Sequence, residues 1–214
     1  MENINFKSYQ TIASHWKQVR DAHAMPNCII DFAKDITPKA HILDVGCGTG
    51  YPIASWFAKR GFHVTGIDAV EAMIDYAKAL NLPHASFILT DLMDYRPQQT
   101  FDAIVAFDVL FHLKPEQQLP ALSHLAKMLN PKGSILFTHG NRQGEIDGKM
   151  FNETFYYSSL NTRDYVQNAE SLGFVVTTLI ENYVESTVGD RDLLMIITKK
   201  WMFRKILFLD DLKY

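Results

Sequence analysis

HILDVGCGTG, residues 41–50, decides the fold. Its first five residues have strand character and run directly into Gly46, Gly48 and Gly50, after which Ala54, Phe57 and Ala58 follow at helical spacing. A strand that ends in a carboxylate, Asp44, and turns on glycines into a helix brings free backbone N–H groups to an anion. That anion can be a phosphate or a carboxylate. The same residues would also make a tight turn with no ligand, so the decision passes to what lies downstream.

From His41 onward, short apolar runs alternate with amphipathic stretches, the pattern of repeated strand and helix units around a parallel sheet. Strands are expected at 41–45, 63–67, 86–90, 102–107, 133–138, 174–180 and 192–199, and helices near 51–60, 70–80, 116–129 and 160–172. Gly61, Pro83, Pro131-Lys132-Gly133 and Gly173 mark helix exits or the turns beyond. The linker ENYVESTVGDR leaves no room for a crossover helix, so the last two strands should pair antiparallel at one edge of the sheet. Ahead of the first strand, Tyr9, Ile12, Ala13, Trp16, Val19 and Arg20 recur at helical spacing, and a second helix surrounds Ile29, Ile30 and Phe32. Between strands five and six, HGNRQGEIDGKMFNETFYYSS (139–159) is too long for an ordinary connection and reads as part of a binding-site wall.

Length and composition set the outer bounds. The 214 residues, 47% of them hydrophobic, suffice for one domain with its own core. Cys28 and Cys47 make no CxxC or zinc-like spacing, so a reducing, cytoplasmic setting is expected. No apolar run reaches membrane-spanning length, and the opening MENINFKSYQ lacks the character of a signal peptide. With 21 Lys and Arg against 24 Asp and Glu, no net positive field gathers nucleic-acid phosphates. A small ligand is the favoured partner.

The second strand ends in GID, which places Asp68 beside the glycine turn, where an ionised carboxylate can accept both hydroxyls of a ribose. The third ends in Thr90-Asp91-Leu92, a carboxylate for an exocyclic amine beside an aliphatic wall, and adenine suits both. An adenosine ligand with an anionic end is compatible with NAD and with S-adenosylmethionine. GCGTG is GxGxG and not GxGxxG, and the terminal hairpin departs from a second mononucleotide half, so the sulfonium cofactor is preferred.

DVGCGTG, VTGID, TDLMDY, FDAIVAFDVLFHL and NPKGSILF, in this order, resemble the motifs of the class I S-adenosylmethionine-dependent methyltransferases. The resemblance covers most of residues 37–199. It implies an α/β, Rossmann-like, seven-stranded, mostly parallel sheet with helices on both faces and an antiparallel C-terminal edge hairpin. Residues 1–214 would form one methyltransferase domain, with 1–36 a helical lid region, 37–199 the cofactor core and 139–159 a substrate-side insertion. It also implies that Asp44, Gly46, Cys47 and Gly48 surround the cofactor's methionine portion and that Asp68 holds the ribose. Ala69 and Met73 would line one adenine face, with Asp91 and Leu92 on the other side and Phe107 at the methionine and ribose edge. Tyr9, in the lid segment, would lay an aromatic face toward a sulfonium. Trp16 shares the segment and is expected to pack.

Inline methyl transfer needs alignment and desolvation more than a catalytic triad. His112, after the fourth-strand motif, and His139, at the end of strand five, are the candidates to accept a proton from a hydroxyl or nitrogen nucleophile. Either would alternatively be a packed or loop histidine. Asp108, Asn141, Arg142, Tyr156 and Tyr157 are candidates for acceptor selection. No His, Cys or carboxylate spacing suggests a metal. The expected activity is methyl transfer to a small molecule with release of S-adenosylhomocysteine. Its rivals are a protein or RNA acceptor placed against the basic and aromatic KKWMFRK run at 199–205, and a protein that binds the cofactor without turnover.

Overall fold

A computed structural model describes residues 4–140, 142–185, 189–190 and 193–199. The elements in chain order are α1 (Ile4–Asp21), α2 (Asn27–Ala33), β1 (His41–Val45), α3 (Ile53–Lys59), β2 (His63–Asp68), α4 (Glu71–Ala79), β3 (Ala85–Leu89) and β4 (Phe101–Ala106). A 3-10 turn at Leu110–His112 leads to α5 (Pro115–Lys127), β5 (Leu129–His139), β6 (Gly144–Met150), β7 (Glu153–Ser159), α6 (Thr162–Ser171) and β8 (Phe174–Glu181). Two short strands, β9 (Val184–Glu185) and β10 (Gly189–Asp190), precede β11 (Leu193–Lys199).

Seven strands form one sheet in the order β3-β2-β1-β4-β5-β11-β8. β1 through β5 pair parallel, and β11 runs antiparallel to both β5 and β8. The terminal antiparallel pair is therefore present, with the later strand, β11, on the inside and β8 at the edge. Because helices cover both faces, the central strands read as continuous apolar runs. Alternate side chains separate cleanly: Leu43, Val45, Ile104 and Ala106 pack with α5 and α6, whereas Ile42, Ala103, Val105 and Leu136 pack with α2 and α3.

Strand order reverses at β1, which lies between β2 and β4. In open α/β sheets such a switch point, at the carboxyl ends of the strands, is where ligands bind. Here the register pairs Asp44 with Gly66 and Val105, and Ala106 with Phe137. Asp44, Asp68, Phe107 and His139 consequently come out along one rim.

The 139–159 segment, too long for an ordinary connection, has regular structure of its own. Most of it is a β-hairpin, β6 with β7, closed by Phe151 and Asn152, both at positive φ (51° and 66°), as a two-residue turn of the I′ kind requires. β5 also starts earlier than expected, at Leu129, and runs through Pro131-Lys132-Gly133, with an irregularity opposite Phe101–Ala103 and Lys132 at φ 69°.

Candidate functional site

A cavity of about 660 Å³ opens at the switch point. The glycine loop forms its floor. Gly46 has φ 63°, and a Cβ there would sit 2.4 Å from Val109 Cγ2, so only glycine lets the loop pass beneath the segment after β4. Asp68 pins the loop: Oδ2 accepts the Gly48 N–H at 2.9 Å, and Oδ1 accepts the Val70 N–H at 2.9 Å. Burial raises its carboxyl to about 6 against these backbone donors.

Asp44 is 2% exposed, and its Oδ2 meets no partner. Burial raises its carboxyl to about 7, with Arg20 opposing and Asp68 reinforcing the shift. A buried carboxylate oxygen without a partner, on a cavity wall, suits a cationic group of a ligand. Thr49 Oγ1 is also buried without a partner. Cys47 is buried, which raises its thiol and keeps it neutral. Ala69, Met73, Asp91, Leu92 and Phe107 line the same cavity, with Asp91 Oδ1 taking the Met93 N–H at 2.7 Å to shape its turn.

α1 crosses the opening and is bonded on both sides. Asn5, 1% exposed, pairs with the backbone of Tyr156 in β7: Oδ1 accepts its N–H at 2.8 Å, and Nδ2 donates to its carbonyl at 2.9 Å. Ser8 Oγ donates to the Thr154 carbonyl at 2.6 Å. One helix face thus stands in for the missing neighbour strand along the edge of β7. At the other end Trp16 approaches the glycine loop, and Gln10 accepts the Ala72 N–H at 3.2 Å. Tyr9 lies between these contacts, edge-on to Trp16, His112 and Phe155, with its hydroxyl 3.0 Å from His112 Nε2.

Burial lowers both candidate histidines to about 4, so each is neutral near pH 7. His112 Nδ1 lies 3.2 Å from the Tyr156 carbonyl and 3.1 Å from Asn5 Nδ2. His139 stacks on Tyr165 with ring centroids 3.6 Å apart and bonds the Gly140 carbonyl through Nδ1.

All thirteen expected site residues therefore border one cavity: Tyr9, Asp44, Gly46, Cys47, Gly48, Asp68, Ala69, Met73, Asp91, Leu92, Phe107, His112 and His139. Of the acceptor-side candidates, Asp108, Arg142 and Tyr157 also line it. The Tyr156 side chain turns away, its hydroxyl donating to Glu145 Oε2 at 2.6 Å. Asn141, and the KKWMFRK run beyond Lys199, lie outside the described residues. Asn5 and Arg20 line the cavity but carry no motif that marks them in the sequence. Among the described residues, no three His, Cys, Asp or Glu side chains group as metal ligands, and no helix is long and apolar enough to cross a membrane.

Residues 42–133 match a family model described as a methyltransferase domain. The crystal structure of 1,6-didemethyltoxoflavin-N1-methyltransferase from Burkholderia thailandensis superposes with a TM-score of 0.74 over 92% of this chain and 88% of that one, at 17% identity. The chain has the class I methyltransferase fold. A TehB-like methyltransferase from Corynebacterium glutamicum shares this fold with a TM-score of 0.64, 24% identity, and coverage of 92% and 98%. Among curated sequences, ubiquinone biosynthesis O-methyltransferases are similar. The protein from Rickettsia conorii is 32% identical over 107 residues, which are 49% of this chain and 36% of that protein. The protein from Coxiella burnetii is 33% identical over 108 residues, 48% and 44% respectively. The matched region thus spans less than half the length of these methyltransferase relatives.

Proposed function

We propose that the protein transfers a methyl group from S-adenosylmethionine to a small-molecule acceptor and releases S-adenosylhomocysteine. One observation carries this reading: Asp44 presents a buried carboxylate oxygen without a partner on the wall that also holds the glycine loop and Asp68. That set fits the cofactor, with the Asp44 carboxylate for its ammonium and Asp68 for its ribose. The cofactor supplies an electrophilic methyl on a sulfonium. Ala69, Met73 and Leu92 would hold the adenine between them, with Asp91 as the partner for its amine. Phe107 borders the methionine and ribose edge.

In this reading α1 is the lid and the β6–β7 hairpin the substrate wall. Tyr9, whose hydroxyl burial keeps protonated, offers an aromatic face to positive charge at the reacting end. Exclusion of water by α1 and alignment of the acceptor are the main contributions to rate. His112 and His139, both on the cavity wall, are the candidates to receive a proton. By their names the relatives are an O-methyltransferase of ubiquinone biosynthesis and a 1,6-didemethyltoxoflavin-N1-methyltransferase, which supports a small-molecule acceptor.

Titration calorimetry checks the cofactor assignment. S-Adenosylmethionine should bind and NAD should not; binding of NAD alone overturns the reading.

A further inference from the structure

The two histidines on the cavity wall are separated by their hydrogen bonds. His112 has both ring nitrogens engaged: Nε2 with the Tyr9 hydroxyl at 3.0 Å, and Nδ1 between the Tyr156 carbonyl and Asn5 Nδ2. If Nδ1 carries the proton, it donates to Tyr156 and Nε2 accepts from Tyr9. If Nε2 carries it, Nδ1 accepts from Asn5. In both tautomers its one lone pair is occupied.

His139 is different. The nearer neighbour of its Nδ1 is a carbonyl, Gly140 O, which can only accept; Ser159 Oγ also lies 3.4 Å from Nδ1 but donates to the Gly140 and Leu160 carbonyls. Nδ1 therefore carries the hydrogen, and the lone pair sits on Nε2. Nε2 is buried and meets no partner. The ring is fixed by stacking on Tyr165, whose hydroxyl donates to Gln118 Oε1 and accepts the Leu160 N–H at 3.3 Å. A bare acceptor atom on a clamped, 2% exposed ring of the cavity wall is matched by a ligand that brings a hydrogen.

We infer that His139 takes the hydrogen of the methyl acceptor, that His112 is a positioning residue for α1, and that the acceptor presents a neutral O–H or weakly basic N–H on an apolar body; this rests on the methyl-transfer reading. Phe111, Ile146, Met150 and Tyr157 supply the apolar surface, and Asp108 and Glu145 stand among them as carboxylates. Arg142 on the same wall would pair with a carboxylate, but a carboxylate has no hydrogen for Nε2. An alkylammonium has no free electron pair until it loses a proton, and a histidine lowered to about 4 does not take it. A hydroxyl or an arylamine N–H already has its pair. The acceptor atom forms its bond to the methyl carbon as the S–CH3 bond breaks and leaves its electrons on sulfur. The hydrogen, strongly acidic once the new bond forms, passes to Nε2 and then to solvent.

His139→Phe keeps a ring against Tyr165 and removes the lone pair. Calorimetry with S-adenosylhomocysteine comes first: no binding sinks the methyl-transfer reading and this inference with it. With binding established, phenol, catechol, aniline and benzoate are offered with S-adenosylmethionine. Methylation of an O–H or N–H compound, lost roughly 100-fold or more in H139F at unchanged affinity for S-adenosylhomocysteine, is the expected result. Benzoate as the only acceptor, or H139F within about threefold of the parent, overturns the inference alone. A readout independent of turnover is 15N NMR of histidine-labelled protein with S-adenosylhomocysteine bound. His139 Nε2 should appear unprotonated and move on addition of catechol or aniline, while His112 stays in place. A protonated Nε2, or one that none of these compounds moves, contradicts the assignment.

Discussion

Asp44 shows how a single residue can oppose folding while serving binding. Its carboxyl is raised from the ordinary carboxylate value to about 7 by burial, so the folded protein keeps a proton that the unfolded chain releases near pH 4. A raised carboxyl means that the unfolded state binds fewer protons between these values, so stability contributed at this site falls as pH rises from about 4 to about 7. Asp44→Asn removes that loss. Its melting temperature should exceed the parent's by an amount that grows over this range and then levels off, equivalent to roughly 2–4 kcal/mol at pH 8. The same variant should bind S-adenosylmethionine roughly 10- to 100-fold more weakly, because a charge-assisted hydrogen bond is lost. In the parent, affinity should strengthen with pH up to about 7 as the carboxyl ionises; in D44N this dependence should shrink. Calorimetry at pH 5.5 and 8 on both proteins checks this, and equal pH slopes would remove Asp44 from the cofactor site. The glycines and the two acidic residues Asp44 and Asp68 were legible because each sits at a fixed distance from an apolar strand. The division between His112 and His139 was not: the state of each ring is set by Asn5, Tyr9, Tyr156 and Gly140, which come from three separate stretches of chain.

At the level of elements, the buried parallel strands could be read from sequence because both their faces are covered, and each is an apolar run ending near a turn residue. The hairpin could not. β6 reads GEIDGKM, is mostly exposed, and is held chiefly by backbone pairing with β7, so it lacks the alternation that identifies a half-buried strand. The attachment of α1 was hidden for another reason. Asn5 reaches a partner 151 positions later and acts through its amide, which imitates a strand edge. Asn5→Ala strips Tyr156 of both backbone partners supplied by that side chain, and a buried N–H left unpaired costs about 1–3 kcal/mol. Chemical denaturation should register that loss. Hydrogen exchange should show the Tyr156 amide opening faster than those of β4, and dissociation of S-adenosylhomocysteine should accelerate as α1 loosens. Unchanged exchange at Tyr156 would show that α1 is held elsewhere.

Across the whole molecule, the reversal of strand order at β1 gathers four strand ends into one rim, and α1 together with the β6–β7 hairpin lines the space above it. A cavity of about 660 Å³, shared between cofactor and acceptor, is of a size for a metabolite. The nearly balanced charge of the full chain, -3 with neutral histidines, points the same way. Methyl transfer to a small molecule is the central claim, and the most direct measurement incubates the protein with a metabolite extract and S-adenosylmethionine carrying a deuterated methyl group, followed by mass spectrometry. At least one small molecule should gain a single labelled methyl in proportion to the S-adenosylhomocysteine formed. Label appearing only in protein or RNA, or bound cofactor with no label transferred, would contradict the account.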